Sequence, residues 1–473
     1  MPTASSEGVT SASVGHLAEA IRSRRISSEE IVLAHLNRID AVNRHLNAVV
    51  QIRHEAALAE ARNADRALAS GAAVGPLHGV PFTAKDTFDA QGVISTAGTV
   101  GRRAYVPTRD ATVITRIKRA GGILLGKTNT SELALSSETD NLVYGRTNNP
   151  YDLNRTPGGS GGGGAAIVAA GGSPFDLGSD MAGSLRAPAH FCGVVTLKPT
   201  HGRIPRTGHT LTHDPRMQVG PITRCVRDLV LLLPILEGPD DHDPAAIPMP
   251  EIDPAPVDLR GIRAAVYVDD GMMPADHDTR RHLCAVLEVL RSSGVAVVEA
   301  RPDFLDDIKT LRRFDRGRIR RALEAAGSRN IHPDLDWIVA SPPAARAAEE
   351  YGELLERLEV FRQRMCEFMA GFDLIVCPVR PYPAPLHGKL STPRFNAGRW
   401  YTPVYNITGW PVVVVPVGTS NQGLPIGLQF VARATYERVA LAAAGAVETA
   451  LLGPVPPLSS GPLSYLRREA PGD

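Results

Sequence analysis

The stretch Pro157-Gly-Gly-Ser160-Gly-Gly-Gly-Gly164 is the strongest structural signal in the sequence, and Ala182-Gly-Ser184-Leu-Arg186 follows it closely. Six glycines surround Ser160. Glycine costs a helix or strand about 0.5–1 kcal/mol per site, so this run predicts a backbone that approaches another group closely or adopts unusual dihedral angles. The sequence also predicts a helix that continues from the run over 165–170 and a strand at 175–177 that leads into the second stretch.

Apolar periodicity on either side of these stretches is typical of an α/β protein. Short apolar runs predict buried strands and longer amphipathic segments predict helices, in the βαβ rhythm of a mostly parallel sheet. We therefore expect one large α/β domain over 1–473, with helices on both faces of a large, mixed, mostly parallel central sheet. Its expected parts are N-terminal helices at 1–70, a catalytic core at 75–235, a variable and largely helical insertion at 238–370, and a C-terminal return to the core sheet at 371–455.

Composition and charge exclude several classes of protein. The chain has 473 residues, is 43% hydrophobic and 21% charged, and carries a formal net charge of +1, which is typical of a globular protein. This balance gives no electrostatic reason to expect a nucleic-acid or membrane partner. Five cysteines, without a Cys-x-x-Cys pair, predict buried free thiols in a reducing compartment. We expect a cytoplasmic protein, a monomer or homodimer, with a small-molecule substrate.

A lysine and two serines supply the groups needed for nucleophilic catalysis. A serine hydroxyl is a weak nucleophile until a base takes its proton. No histidine lies at a spacing that indicates a Ser-His-Asp triad with Ser160 or Ser184. Lys85 ends the apolar segment 80–84, where burial would lower the pKa of its amine and let it act as an uncharged base. A solvated surface lysine is the alternative that these residues alone leave open.

Further motifs give the chain a resemblance to the amidase signature family that spans nearly its whole length. The two serine stretches form the most specific part of this resemblance. The other motifs are His78-Gly-Val-Pro81, Gly126-Lys-Thr-Asn129, Asn148-Asn-Pro150, Gly178-Ser-Asp180, Phe191-Cys-Gly193, Leu197-Lys-Pro-Thr200 and, more weakly, Gly220-Pro221 and Gly423-Leu-Pro-Ile-Gly427. The resemblance implies the amidase signature fold and hydrolysis of C–N bonds in amides or carbamates, without a metal or organic cofactor.

The family's catalytic residues fall on three positions of this sequence. The resemblance implies that Lys85 is the base, that Ser160 lies in a strained peptide geometry and relays a proton, and that Ser184 is the nucleophile. It also implies an oxyanion hole formed by backbone N–H groups at the start of a helix, from Met181, Ala182, Gly183 and Ser184. The serine block is similar to that of cyclic nylon-oligomer hydrolases and urethanases. Small carbamates, aryl amides or oligoamides are therefore the expected substrates.

Two residues depart from the family's pattern. Most members carry a serine at the position of Gly161 and a glycine at the position of Ala182. We expect Gly161 to remove a supporting hydroxyl and not the relay, and Ala182 to have a negative φ angle, because alanine resists the left-handed region. Arg186 and Asp180 are expected to brace the loop and not to touch the substrate.

Two other patterns are interpreted as structural. The segment Gly121-Gly-Ile-Leu-Leu-Gly126-Lys127-Thr128 satisfies the P-loop spacing, but its apolar centre predicts a buried strand after a helix. His201, His209 and His213 lie in one broken loop and lack the further ligands that a zinc site needs. We expect that loop near the mouth of the active site.

Three functions besides that of a free-standing amidase stay open at this level. One is a glutaminase subunit of a tRNA-dependent amidotransferase, which requires a partner chain. A second is a binding protein that uses the pocket without catalysis, and a third is an ATP-dependent enzyme that uses the segment 121–128. The presence of Lys85, Ser160 and Ser184 together favours the amidase.

Overall fold

The computed structural model describes residues 6–210, 214–250, 257–311, 316–336 and 348–453. The helices are α1 Ser6–Ser11, α2 Val14–Arg22, α3 Ser28–Leu46, α4 His54–Ala69, α5 Thr112–Arg119, α6 Gly162–Ala169, α7 Arg186–Cys192, α8 Val226–Leu236, α9 His277–Ser292, α10 Ile308–Leu311, α11 Arg316–Ala325, α12 Ala348–Met369, α13 Pro393–Ala397, α14 Val404–Ile407 and α15 Glu437–Leu452. The strands are β1 Val49–Ile52, β2 Pro81–Lys85, β3 Ile123–Thr128, β4 Asp176–Asp180, β5 Val195–Lys198, β6 Gln218–Thr223, β7 Arg263–Val266, β8 Ala296–Glu299, β9 Leu374–Pro378, β10 Val412–Thr419 and β11 Pro425–Ala432.

All eleven strands form a single sheet in the order β1-β3-β2-β4-β6-β5-β10-β11-β9-β7-β8. The expectation of a mostly parallel sheet is wrong. Of the ten pairings between these strands, four are parallel (β2–β3, β2–β4, β7–β8 and β7–β9) and six are antiparallel. The centre of the sheet departs from the βαβ rhythm because β10 and β11 are joined by a short turn, which only antiparallel neighbours allow.

The centre of the sheet is buried on both faces, as the sequence predicts. Alternate residues of β10 belong to different hydrophobic clusters: Val413 and Val415 pack in one, and Val412 and Val414 in the other. Residues of α2, α5, α8, α9 and α15 contribute to the first cluster, and residues of α3, α4, α6, α7 and α12 to the second. Strands covered on both sides read as continuous apolar runs, which explains the four consecutive valines.

The segment 238–370 contributes strands to the central sheet in addition to helices. Within it, β7 and β8 extend the central sheet, where β7 pairs in parallel with both β8 and β9. Besides these two strands, its described residues form the helices α9, α10, α11 and α12. Part of the segment, at 251–256, 312–315 and 337–347, lies outside the described residues.

The cysteines and the helices give two further findings. All five cysteines are free; Cys192, Cys225 and Cys377 are buried, whereas Cys284 and Cys366 are exposed, so the expectation of burial holds for three of them. Within the described ranges, no helix combines the length and the apolar character that crossing a bilayer would require.

Because both faces of the sheet are covered at β10, substitutions at neighbouring positions of this strand should lower the free energy of unfolding equally. Val413→Ala and Val414→Ala should each lower the free energy of unfolding by about 2 kcal/mol, because each removes two methyl groups from a fully buried site and leaves a cavity. Urea denaturation followed by circular dichroism measures both values. Val230→Ala, at an exposed position of α8, is the control and should change stability by less than about 0.5 kcal/mol. A neutral result at Val413 or Val414 would mean that one face is not covered.

Candidate active site

The site is built where three neighbouring parallel strands end. Lys85 is the last residue of β2, Thr128 of β3 and Asp180 of β4, and β2 lies between the other two strands in the sheet. The carboxyl ends of parallel strands meet at one edge, so their last side chains can converge. Ser160 reaches this edge from the glycine run that precedes α6, and Ser184 from the turn that follows β4.

Lys85 and Ser160 are in direct contact. Lys85 Nζ lies 2.7 Å from Ser160 Oγ, and both residues are fully buried. The Gly159–Ser160 peptide bond is cis. Burial is also the reason that Lys85 can be a base. It lowers the pKa of its amine from 10.5 to about 7, although the carboxylates of Asp180 and Asp176 oppose the shift.

Two residues that the sequence reasoning did not assign to the site also surround the amine. Lys85 Nζ lies 3.2 Å from Ser179 Oγ, and Ser179 Oγ lies 3.0 Å from His209 Nε2. His209 is buried, with its ring edge-on to Phe88, and burial holds the pKa of its imidazole well below the usual value. Ser179 falls within the motif Gly178-Ser-Asp180. The available signal in the sequence was the alternation of side chains along β4, which places Ser179 on the same face of the strand as Leu177.

Ser184 is brought to Ser160 through the backbone. The N–H of Gly161 donates to the carbonyl of Ser184 at 3.1 Å. The Ser184 side chain is half-buried, and among the described residues no hydrogen-bond partner is found for its hydroxyl. The contact between Lys85 and Ser160 is thus present in the structure, whereas proton transfer from Ser184 to Ser160 stays a prediction.

The backbone explains both departures from the family's pattern. A Cβ atom at Gly161 would lie 2.7 Å from the carbonyl oxygen of Ser184, so this chain has no room for the usual serine without a shift. Ala182 does not have a positive φ angle, as expected; the positive angle, 118°, belongs to Gly183. Gly183 is therefore the position of the turn where a side chain would be strained.

Asp180 and Arg186 brace the turn, as predicted. They form a fully buried ion pair of 2.9 Å, and Asp180 also accepts from the N–H groups of Gly183 (2.7 Å) and Leu185 (3.1 Å). Burial opposes ionisation of Asp180, but the charge of Arg186 and these hydrogen bonds hold the pKa of its carboxyl well below the usual value. Asn406 completes the set, accepting from Arg186 and donating to Asp180 Oδ1 at 3.0 Å.

This bracing corrects part of the predicted oxyanion hole. Because the N–H of Gly183 already donates to Asp180, it is not available to a substrate oxygen. The turn also precedes the helix, since α7 begins only at Arg186. Met181, Ala182 and Ser184 stay as predicted donors; in the described part of the chain, no protein acceptor is found for their backbone N–H groups.

The residues interpreted as structural are placed as follows. Lys127 is a buried residue of β3, and its amine donates to the carbonyl of Phe88 (2.5 Å) and lies 3.4 Å from Asp86, which confirms a strand in place of a phosphate loop. His209 belongs to the site itself and not to its mouth, because it contacts Ser179. His201 contacts Gln218, and His213 lies outside the described residues.

Comparison with known proteins gives concordant matches. The Amidase family profile matches residues 30–441. The chain is 34% identical to an acylamidase of Rhodococcus erythropolis, across 92% of this chain and 94% of that protein. It is 35% identical to a glutamyl-tRNA(Gln) amidotransferase subunit of Moorella thermoacetica, across 91% and 95%. A solved 6-aminohexanoate cyclic dimer hydrolase, in complex with substrate, superposes with a TM-score of 0.83 at 29% identity, across 94% and 98%.

A chain with this fold and these matches is a hydrolase of amide C–N bonds. It belongs to the amidase signature family, because the profile spans most of the chain and the relatives exceed 30% identity over nine-tenths of it. The family predicted from the sequence motifs is therefore confirmed, and so is a large mixed sheet with helices.

The lowered pKa of Lys85 predicts the pH dependence of turnover. Only the neutral amine accepts a proton, so kcat/KM should rise about tenfold per pH unit below about pH 7 and level off above it. A pH series with a neutral anilide measures the profile. A rate that is flat from pH 5 to about pH 9 would contradict an uncharged lysine base.

Ser179→Ala tests whether that profile belongs to Lys85. The Ser179 hydroxyl accepts from the protonated amine, so its loss should disfavour the charged form and move the midpoint to lower pH, by about half a unit or more. A structural defect alone would lower the rate without moving the midpoint. An unchanged midpoint would mean that another group controls the profile.

Proposed function

We propose that this protein hydrolyses amide or carbamate C–N bonds through Lys85, Ser160 and Ser184, with a covalent acyl-enzyme. The 2.7 Å contact between the buried Lys85 amine and the buried Ser160 hydroxyl carries this proposal. A fully buried lysine beside a serine is costly unless it is uncharged, and an uncharged amine next to a hydroxyl is an acid–base pair.

Acylation begins with attack of Ser184 Oγ on the carbonyl carbon. As the new C–O bond forms, the proton of Ser184 passes to Ser160 Oγ and the proton of Ser160 passes to Lys85 Nζ. The electron pair of the C=O bond moves to oxygen, and the N–H groups of Met181, Ala182 and Ser184 are the proposed donors that stabilise it. Asp180 and Arg186 hold this turn, so the donors need little rearrangement during the reaction.

The relay then runs in reverse. Lys85 returns its proton to Ser160, Ser160 protonates the nitrogen, and the C–N bond breaks to release a neutral amine. This protonation is needed because an amide anion is a very poor leaving group. Water then attacks the Ser184 ester by the same relay and releases the acid. A carbamate cleaved at its C–N bond would give a carbonate ester of Ser184. These steps use only protein groups and water, so we propose no cofactor.

The expected substrates are small aryl amides, oligoamides and carbamates. The matches to an acylamidase and to a 6-aminohexanoate cyclic dimer hydrolase support the amide part of this proposal. The carbamate part rests on the resemblance of the glycine-rich serine block to that of urethanases. We also propose a cytoplasmic location, because five free cysteines, two of them exposed, are typical of a reducing compartment.

A glutaminase subunit is the second candidate. The 35% identity to a glutamyl-tRNA(Gln) amidotransferase subunit favours it over a binding protein without catalysis and over an ATP-dependent enzyme. The two candidates differ in their need for a partner: a free-standing amidase turns over amides when purified alone, whereas the glutaminase releases ammonia from glutamine within its complex.

Ser184→Ala should abolish turnover and covalent labelling. The variant lacks the only atom proposed to bond to the acyl group, so a fluorophosphonate probe should leave its mass unchanged, while the wild-type protein gains one adduct. Intact-protein mass spectrometry measures both. Gly161 and Ser184 share a backbone contact, so circular dichroism should accompany the test. A labelled, folded Ser184→Ala protein would assign the nucleophile elsewhere.

A substrate panel separates the two candidate functions. The purified chain should hydrolyse 4-nitroanilides, short oligoamides or N-aryl carbamates, and Lys85→Ala should lower these rates by at least about a hundredfold. Glutamine is assayed beside them by ammonia release. Turnover of glutamine alone would favour the amidotransferase function, and turnover of carbamates but not amides would narrow the proposal to urethanes.

A further inference from the structure

Arg380 is a buried cation that has no carboxylate partner among the described residues. It follows β9 and is only 3% exposed. Its Nη1 donates to the carbonyl of Arg399 at 2.8 Å and to Thr402 Oγ1 at 3.1 Å. No described residue accepts from its Nε or Nη2, and in the described ranges no carboxylate lies within ion-pair distance of it. Burial of a charge that neutral groups alone partly solvate is costly.

The neighbouring carboxylates do not neutralise this charge directly. Asp180 attracts Arg380 electrostatically but is already bound to Arg186. Asp270 also attracts it, yet Asp270 Oδ1 accepts from the N–H groups of Met272 and Met273 at 2.9 Å each. The other oxygen, Asp270 Oδ2, is buried and has no hydrogen-bond partner among the described residues. Burial raises the pKa of Asp270 to about 6, which weakens it further as a counter-ion.

Arg380 is close to the nucleophile's turn. Thr402 Oγ1, which accepts from Arg380, donates to the carbonyl of Ala182 at 2.8 Å. The same hydroxyl would lie 2.5 Å from a Cβ atom at Gly183. The guanidinium is thus two hydrogen bonds away from the turn that carries Ser184. The guanidinium and the turn of Ser184 are therefore hydrogen-bonded to the same threonine hydroxyl.

We propose that Arg380 binds a carboxylate of the substrate, beside the bond that is cleaved. This inference rests on the proposed hydrolysis at Ser184 and adds the chemical class of its substrate: an amide or carbamate with an anionic group on one of its two halves. Nε and Nη2 of a guanidinium point in parallel and match the two oxygens of a carboxylate, which a lysine would not do. The incoming charge also compensates the buried cation, so recognition of the anion costs little reorganisation.

Matched pairs of substrates test this assignment. On the acyl half, the mono-4-nitroanilides of succinate, glutarate and adipate are compared with the 4-nitroanilides of butyric, pentanoic and hexanoic acids, where a methyl group replaces the carboxylate. On the amine half, N-hexanoyl-4-aminobenzoate is compared with N-hexanoyl-4-toluidine. The wild-type protein should favour the anionic member of at least one pair by about tenfold or more in kcat/KM.

Variants then assign the preference to one residue. Arg380→Met should remove it, so that the ratio of kcat/KM between the anionic and the neutral member of the pair falls to about one, and Arg380→Lys should restore part of it. Arg260→Met is the matched control: it also removes one positive charge, from an exposed arginine paired with Asp258, and should keep the preference. Thermal unfolding shows whether each variant is folded.

Two results would overturn the inference. One is a wild-type protein without preference for the anionic member of any pair, which needs no variant. The other is a preference that survives in a folded Arg380→Met protein. Neither result affects the proposed hydrolysis, which the neutral members and Ser184→Ala test separately.

Discussion

Exclusion of water from Lys85 is the constraint on which the site depends. A lysine amine in water holds its proton far above neutral pH and cannot accept one from a serine. Placing Lys85 at the last position of a central strand, between two parallel neighbours, removes that water and lowers the pKa of the amine to about 7. The covered faces of the sheet therefore matter for the proposed chemistry, because they lower the pKa of the amine that is proposed as the base.

A second constraint holds the turn of Ser184, the proposed nucleophile, at the end of β4. The carboxylate of Asp180 binds the backbone of the turn and the side chain of Arg186 together, so a charged centre holds the turn of Ser184 in addition to the apolar packing of Leu185. A buried ion pair adds little net stability compared with apolar residues, but it is directional. The position of the turn relative to β4 follows from it, since Asp180 is itself the last residue of that strand.

Much of this arrangement could be predicted from the sequence, and the remainder depends on long-range contacts. Local patterns identified β2, the helix after the glycine run and the strand at Lys127, because each is determined by apolar periodicity and glycine. The direction of the strands was not predictable in the same way, because β10 pairs with β5 and β11 pairs with β9 across long separations in sequence. The place of His209 in the site could not be predicted for the same reason, since its contact with Ser179 joins residues 30 positions apart.

The hydroxyl of Thr402 donates a hydrogen bond to the carbonyl of Ala182 and accepts one from Arg380, so it supports both the turn and the arginine. A mutation there would disturb the speed of bond cleavage and the choice of molecule together. Substitutions that change the preferred substrate would then occur at residues that contact either the turn of Ala182 or Arg380 but not both. Thr402 would be the last of these positions to vary. Such pleiotropy would slow substitution at this one position.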